Sequence, residues 1–330
     1  MSRLPIRPRA ARGLPSRIGA FAIALAASAM PLAAAAADVI RIGLPVKAYW
    51  STVTTDAATN LKLFQKEGIT AEVTIFRSSG DAFEAMAAGS TDLILASPSQ
   101  VAAGITRGVA SKVVAGGANK PNGWYLLATA KSPVSKVQEM QGKSIGIAGA
   151  GSMTDLFARW AATQGNVEVK RIPVGSAGVV PNLIAGNVDT AVIMAPQSFQ
   201  LITEKTAKPV VDFGTQMPEM LSEGWIATDK LIAEKPQLIQ RALNALYGGL
   251  RYVQQNRAYG IKAIAEVHGI SEPVAVKQYE DVVLKLLPNG EIRKEWVEAW
   301  LDLAKTGGMT GLAPAEATYT TRFKPVPTTP

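Results

Sequence analysis

The sequence predicts an α/β fold built from two similar halves and closed by a helical C-terminal stretch. Three observations point there. β-rich and helix-like segments alternate from Val39 onward, the order that gives sheets flanked by helices. The alternation starts again near Lys143. The connection Ala-Gly-x-x-Asp occurs twice, as Ala88-Gly89-Ser90-Thr91-Asp92 and as Ala185-Gly186-Asn187-Val188-Asp189, each time between a helix and an apolar strand.

In the first half, Val39–Gly43 is a short β-rich run. Residues 54–67 read as a helix, with Leu61, Leu63 and Phe64 apolar and Gly68 as its stop. Thr70–Phe76 is rich in β-branched residues and reads as a strand. Asp81–Ala88 is helical, Asp92–Ala96 a short buried strand, Ser99–Arg107 helical and Lys112–Ala115 a strand. A largely parallel sheet is expected from this βαβα order.

The second half repeats it. Lys143–Ala148, Val167–Ile172, Thr190–Met194 and Pro209–Phe213 read as strands. Ser152–Gln164, Val179–Ala185 and Gln197–Glu204 read as helices. After about Trp225 the strands are expected to cease. Pro236–Gln255 places Ile239, Leu243, Leu246, Leu250 and Val253 at helical spacing, with Pro236 suited to a first turn. A last helix is expected near Arg293–Lys305, and an extended Pro/Thr-rich tail from Thr318. In the repeated connection, Gly ends the helix with positive φ and Asp can accept from backbone donors.

Charge and composition narrow the function classes. The 330 residues carry 34 Lys plus Arg against 26 Asp plus Glu, a net charge of +8. Arg3, Arg7, Arg9, Arg12 and Arg17 fall in residues 1–37, which hold no acid. An Ala-rich apolar run from Ile18 to Leu32 follows, then Ala33 to Ala37 with A-x-A sites. Basic, apolar and small-residue segments in that order predict a secretory signal peptide, 1–37, cleaved near Ala37; an uncleaved anchor fits less well because the apolar run is short. Its removal would leave a net charge of about +3, weak support for nucleic-acid binding. No other stretch reaches the roughly 20 apolar residues of a membrane span. The chain has no Cys and one His, which excludes thiolate chemistry, disulfides, a lipoprotein cleavage site and multi-histidine metal sites. No metal and no cofactor are expected.

Residues 61–96, 137–154 and 182–196 give the chain a family resemblance through their order and spacing. Together the match runs from about Val39 to Lys305. It resembles the substrate-binding proteins of ABC importers, of the nitrate/sulfonate/taurine type, relatives of binding proteins for thiamine-pyrimidine precursors. The resemblance implies a two-lobed periplasmic binding protein of type II, with two α/β lobes, crossing hinge strands and a helical C-terminal stretch. Carried over, residues 38–126 plus 225–330 form lobe 1, residues 131–215 form lobe 2, and the hinge segments lie at about 123–130 and 214–228. It also implies a soluble, exported periplasmic monomer that hands a small-molecule ligand to a membrane permease.

In such sheets ligands sit beyond the C-terminal ends of strands. After the first strand come Tyr49 and Trp50, which offer a stacking face and a polar tip. After the second come Arg77, able to face an anion, and Ser79, although Ser78 with Asp81 also fits a helix cap. After the third come Ser97 and Gln100 at a helix start. In the second half, Gly149-Ala150-Gly151-Ser152-Met153-Thr154-Asp155 combines close-approach glycines with a capped helix N-terminus, placing Ser152, Met153 and Thr154 at the ligand; the full phosphate-loop pattern is absent. Ser176 and Pro196 mark the next two strand ends, and Trp225 is expected on the cleft floor. Trp160, Trp296 and Trp300 read as core, and His268 as a helix-end residue.

No catalytic constellation is legible. The expected function is a solute receptor for a small organic anion, a sulfonate or carboxylate. The alternatives are a pyrimidine-like heterocycle, for which Glu223 beside Trp225 offers an acid, or an enzyme on the same scaffold. A Cys-dependent desulfinase is excluded by the missing Cys, while export and a single His disfavour a His-using pyrimidine synthase. A sensor domain of the two-component or chemoreceptor kind would need a transmembrane helix and a further domain after the cleft, and neither is read up to Pro330.

Overall fold

The structure is a computed structural model that describes residues 38–329; the expected signal peptide lies outside the described residues. The first half runs β1 (Asp38–Leu44), α1 (Trp50–Asn60), α2 (Leu63–Lys66), β2 (Ile69–Ile75), α3 (Ser79–Ala87), β3 (Leu93–Ala96), α4 (Pro98–Thr106) and β4 (Ser111–Ala118). The second runs β5 (Tyr125–Thr129), β6 (Ser144–Ile147), α5 (Met153–Gly165), β7 (Lys170–Pro173), α6 (Val179–Ile184), β8 (Thr190–Ile193), α7 (Gln197–Thr203), β9 (Ala207–Asp212) and α8 (Phe213–Gln216). Then come β10 (Glu223–Thr228), α9 (Asp229–Glu234), α10 (Pro236–Gln255), α11 (Arg257–His268), α12 (Glu272–Asp281) and α13 (Lys294–Thr306).

These strands form two five-stranded sheets, ordered β2-β1-β3-β10-β4 and β7-β6-β8-β5-β9. The central β3 and β8 are buried throughout, which is why they read as unbroken apolar runs. Where a largely parallel sheet is expected, each sheet is mixed, with two parallel and two antiparallel pairings. β1 pairs in parallel with β2 and β3, but β10 is antiparallel to β3 and β4. β6 pairs in parallel with β7 and β8, but β5 is antiparallel to β8 and β9. The reason is connectivity. β5 and β10 each arrive from the other half, and each is inserted between two strands of its sheet, antiparallel to both.

The repeated connection folds the same way twice. Gly89 and Gly186 have φ of +76° and +74°. The Asp92 carboxylate accepts the Arg41 backbone N–H of β1 at 2.9 Å, and Asp189 accepts the Ser144 N–H of β6 at 2.8 Å. Each acid thereby ties the start of a central strand to its neighbour.

Other expectations shift locally. The helix expected over residues 54–67 begins earlier, at Trp50, and breaks at Lys62, which is left-handed at φ 57°. A strand continues through Trp225, and the short α8 follows β9 without a break. α10 has the expected bounds, burying Ile239, Leu243, Leu246, Leu250 and Val253. Trp296 and Trp300 are buried on α13, while Trp160 is half-buried against Phe213. The tail is extended, and Val113 of β4 bonds to Thr318 and Thr320 within it. Among the described residues, no helix is long and apolar enough to cross a membrane.

Candidate functional site

The ends of β1, β3, β6 and β8 and the starts of β5 and β10 line three adjoining compartments, all of them touching Trp124, Met153 and Met194. The compartment on the first sheet is walled by Pro45, Val46, Tyr49, Ser79, Ser97 and Gln100. The one on the second sheet is walled by Ala148, Ser152, Thr154, Ser176, Val179 and Gln197. Their cavity volumes are about 160 and 200 Å³, room for a small ring-sized molecule. The third is tighter and lies toward the crossing segments, against Trp50, Lys120, Asn122, Ser222, Glu223 and Gln278.

Glu223 joins the first and third compartments. It begins β10 and is 8% exposed. The Trp50 indole N–H donates to its Oε1 at 2.6 Å, and the Tyr49 hydroxyl donates to its Oε2 at 2.7 Å. Burial pushes the Glu223 carboxyl up to about 7, against the pull of these two donors. Burial and the adjacent Glu223 likewise hold the Tyr49 hydroxyl well above its ordinary range.

The chain builds this cluster from local features. Tyr49 is the extended residue before α1, so its side chain leaves the loop at the strand end. Trp50 lies against β4 at Gly117, where an added Cβ would sit 2.9 Å from the indole Cζ2. Gly117 is the residue that lets the indole approach β4 this closely. His268, closing α11, places Nε2 3.2 Å from the Tyr49 carbonyl and donates to it; burial lowers the imidazole's affinity for a second proton, partly offset by that bond.

At the start of α5 the groups are mutually satisfied. Ser152 Oγ donates to the Gly149 carbonyl and accepts from the Asp155 N–H. Thr154 Oγ1 accepts from the Ala148 N–H at 2.8 Å, and the Gly151 N–H donates to Asp155. Asp155 is fully buried and paired with Arg159 and Arg171. This helix start therefore already carries a buried carboxylate.

Of the residues expected at the ligand, Tyr49, Trp50, Ser79, Ser97, Gln100, Ser152, Met153, Thr154 and Ser176 come together on the cleft. Three do not. Arg77 points to solvent with its side chain 93% exposed, held by Asp81 at 3.1 Å. Pro196 is buried behind the cleft wall, after a cis peptide bond. Trp225 lies two residues into β10, about 7 Å below the rim at the usual strand rise, and is packed in the core at 2% exposed. Sequence reasoning missed Trp124 and Met194 and gave Glu223 only as a neighbour of Trp225. Their shared signal is position: each stands where a crossing strand begins or a central strand ends.

Among the described residues, no group of three or more His, Asp or Glu is placed to hold a metal ion. The cleft can enclose, stack and hydrogen-bond a small molecule.

The family described as NMT1/THI5 like matches residues 56–258. No curated protein matches the chain. Among solved structures, the alkanesulfonate-binding protein SsuA from Xanthomonas axonopodis pv. citri bound to MOPS is similar at TM-score 0.72 and 18% identity, over 85% of this chain and 98% of that one. The periplasmic aliphatic sulphonate binding protein SsuA from Escherichia coli is similar at 0.70 and 19%, over 82% and 86%. The periplasmic nitrate-binding protein NrtA from Synechocystis PCC 6803 is similar at 0.60 and 13%, over 73% and 69%. The shared feature at these identities is the periplasmic-binding-protein fold.

Proposed function

Because the chain belongs to the NMT1/THI5-like family, we propose that it is the solute-binding protein of an ABC importer, holding a small organic molecule between its two sheets and delivering it to a membrane permease. The observation that carries this reading is the convergence of strand ends from both sheets on one cleft lined by Trp124, Met153 and Met194. Solved proteins of the same fold are named as binders of sulfonates and nitrate, which supports a receptor rather than an enzyme. Closure would come from a hinge at the crossings near residues 123–130 and 214–228. Export to the periplasm rests on residues 1–37 and is tested by sequencing the N-terminus of the secreted protein.

Of the two ligand classes suggested by sequence, the cleft favours the uncharged or basic heterocycle over the small organic anion. Lys120 is the one cation among the described lining residues, Arg77 faces solvent, and Glu223 brings a carboxylate. A thermal-shift screen of sulfonates, carboxylates and nitrogen heterocycles tests the reading, since a ligand of the folded state raises the transition by mass action. At least one compound is expected to raise the melting temperature saturably. Silence across all three classes would contradict a receptor for small organic solutes.

A further inference from the structure

We propose that Glu223 sets the charge selectivity of the cleft: its carboxylate accepts a hydrogen bond from an N–H group of the solute and turns anionic solutes away. This rests on the receptor reading above and assigns the residue that makes the choice.

The geometry supplies the argument. Glu223 stands on the wall shared by two compartments, with each oxygen holding one protein donor, Tyr49 or Trp50. A carboxylate oxygen has two acceptor positions, so each retains one for a solute. Both donors come from one short stretch leading into α1, and Trp50 is 3% exposed, so the carboxylate is fixed in orientation. Among the described residues Glu223 has no ion-pair partner. Lys120 lines the same tight compartment, and His268 meets the cluster through the Tyr49 carbonyl; these and Tyr49 are the titratable groups around it. Ser97 and Gln100 at the start of α4 and Gln278 on α12 are neutral.

The two solute classes meet this group differently. A solute N–H finds an oriented acceptor already desolvated, so little is lost on contact. An anion is repelled by the carboxylate in a site that screens poorly, and is accepted only by the fraction of the protein whose carboxyl holds a proton. A purely structural Glu223, bolting Tyr49 to Trp50, would show neither preference.

The test uses matched rings. Benzamidine and 2-aminopyridine are titrated calorimetrically against benzoate and benzenesulfonate, with wild type and Glu223→Gln, near pH 7 and in buffers of different ionisation enthalpy. Gln keeps the shape and can accept from Trp50 while donating to Tyr49, so folding is preserved, checked by circular dichroism. In wild type the nitrogen donors are expected to bind at least about tenfold tighter than the anions, a difference of about 1.4 kcal/mol. Their binding is expected to release protons, because a donor at the carboxylate favours its ionised form. Glu223→Gln is expected to lose both the preference and the release. Anions binding tighter than amidines in wild type would overturn the assignment while leaving the receptor reading intact. An unchanged preference in Glu223→Gln would overturn it equally. Failure of both series to bind would contradict the assignment, and would reach the receptor reading if the wider solute screen is also silent.

Discussion

The Trp50 indole N–H meets Glu223 Oε1 at 2.6 Å, joining residues 173 positions apart. It ties α1 to β10, the strand that returns after the second half. Trp50→Phe removes the donor and leaves a buried oxygen with one partner fewer. A destabilisation of about 1–3 kcal/mol is expected by urea denaturation, the usual consequence of unpairing a buried group. A change below about 0.5 kcal/mol would show that the bond is not a structural tie.

Stability should respond to pH through Glu223. Its folded-state value of about 7 lies above the ordinary 4.5. Between those values the folded protein keeps a proton that the unfolded chain has released. This contribution is therefore fully present below about pH 4.5, falls as pH rises toward about 7, and is flat above. Glu223→Gln removes it. The stability of wild type minus that of the variant should drop by on the order of 3 kcal/mol between pH 4.5 and 8. A difference that stays constant over this window would contradict a desolvated Glu223.

Gly117→Ala tests the close approach of the indole to β4. The added Cβ would lie 2.9 Å from Trp50 Cζ2, so the ring must shift. Overpacking of this kind is expected to cost about 1–3 kcal/mol, with blue- or red-shifted tryptophan emission reporting the displaced ring. Wild-type stability and emission together would show that the ring is not confined there.

The repeated acid makes a paired prediction. Asp92→Ala and Asp189→Ala each leave a strand N–H without its acceptor, at Arg41 within β1 and Ser144 at the start of β6. Both should destabilise by about 1–3 kcal/mol in denaturant melts. Asp92→Ala should cost more, because Asp92 also holds the Arg41 guanidinium at 2.7 Å. The reverse order would contradict the added hold of Asp92 on the Arg41 guanidinium.

Elements whose pattern is local were legible in the sequence. α10 buries one stripe at helical spacing and starts with Pro236, so its bounds are readable without tertiary information. The same holds for the strand-end loops that place Tyr49, Ser97, Ser152 and Thr154 on the cleft. The direction of β5 and β10 was not legible, because it depends on where a strand enters its sheet rather than on its residues. The break at Lys62 sits at a residue with no glycine signal. Trp225 and Glu223 show the limit most sharply. They are two residues apart on one strand, yet depth below the rim puts the indole in the core and the carboxylate at the cleft.

The most direct test of the central claim is to fill the cleft. Met194 is half-buried and lines all three compartments, so Met194→Trp adds bulk where a solute would sit without cutting into the core. Calorimetric titration with a solute that binds wild type should show a loss of more than about a hundredfold, about 2.7 kcal/mol, with the melting temperature of the free protein within a few degrees of wild type. Undiminished affinity in a folded Met194→Trp protein would place the binding site elsewhere and contradict the account.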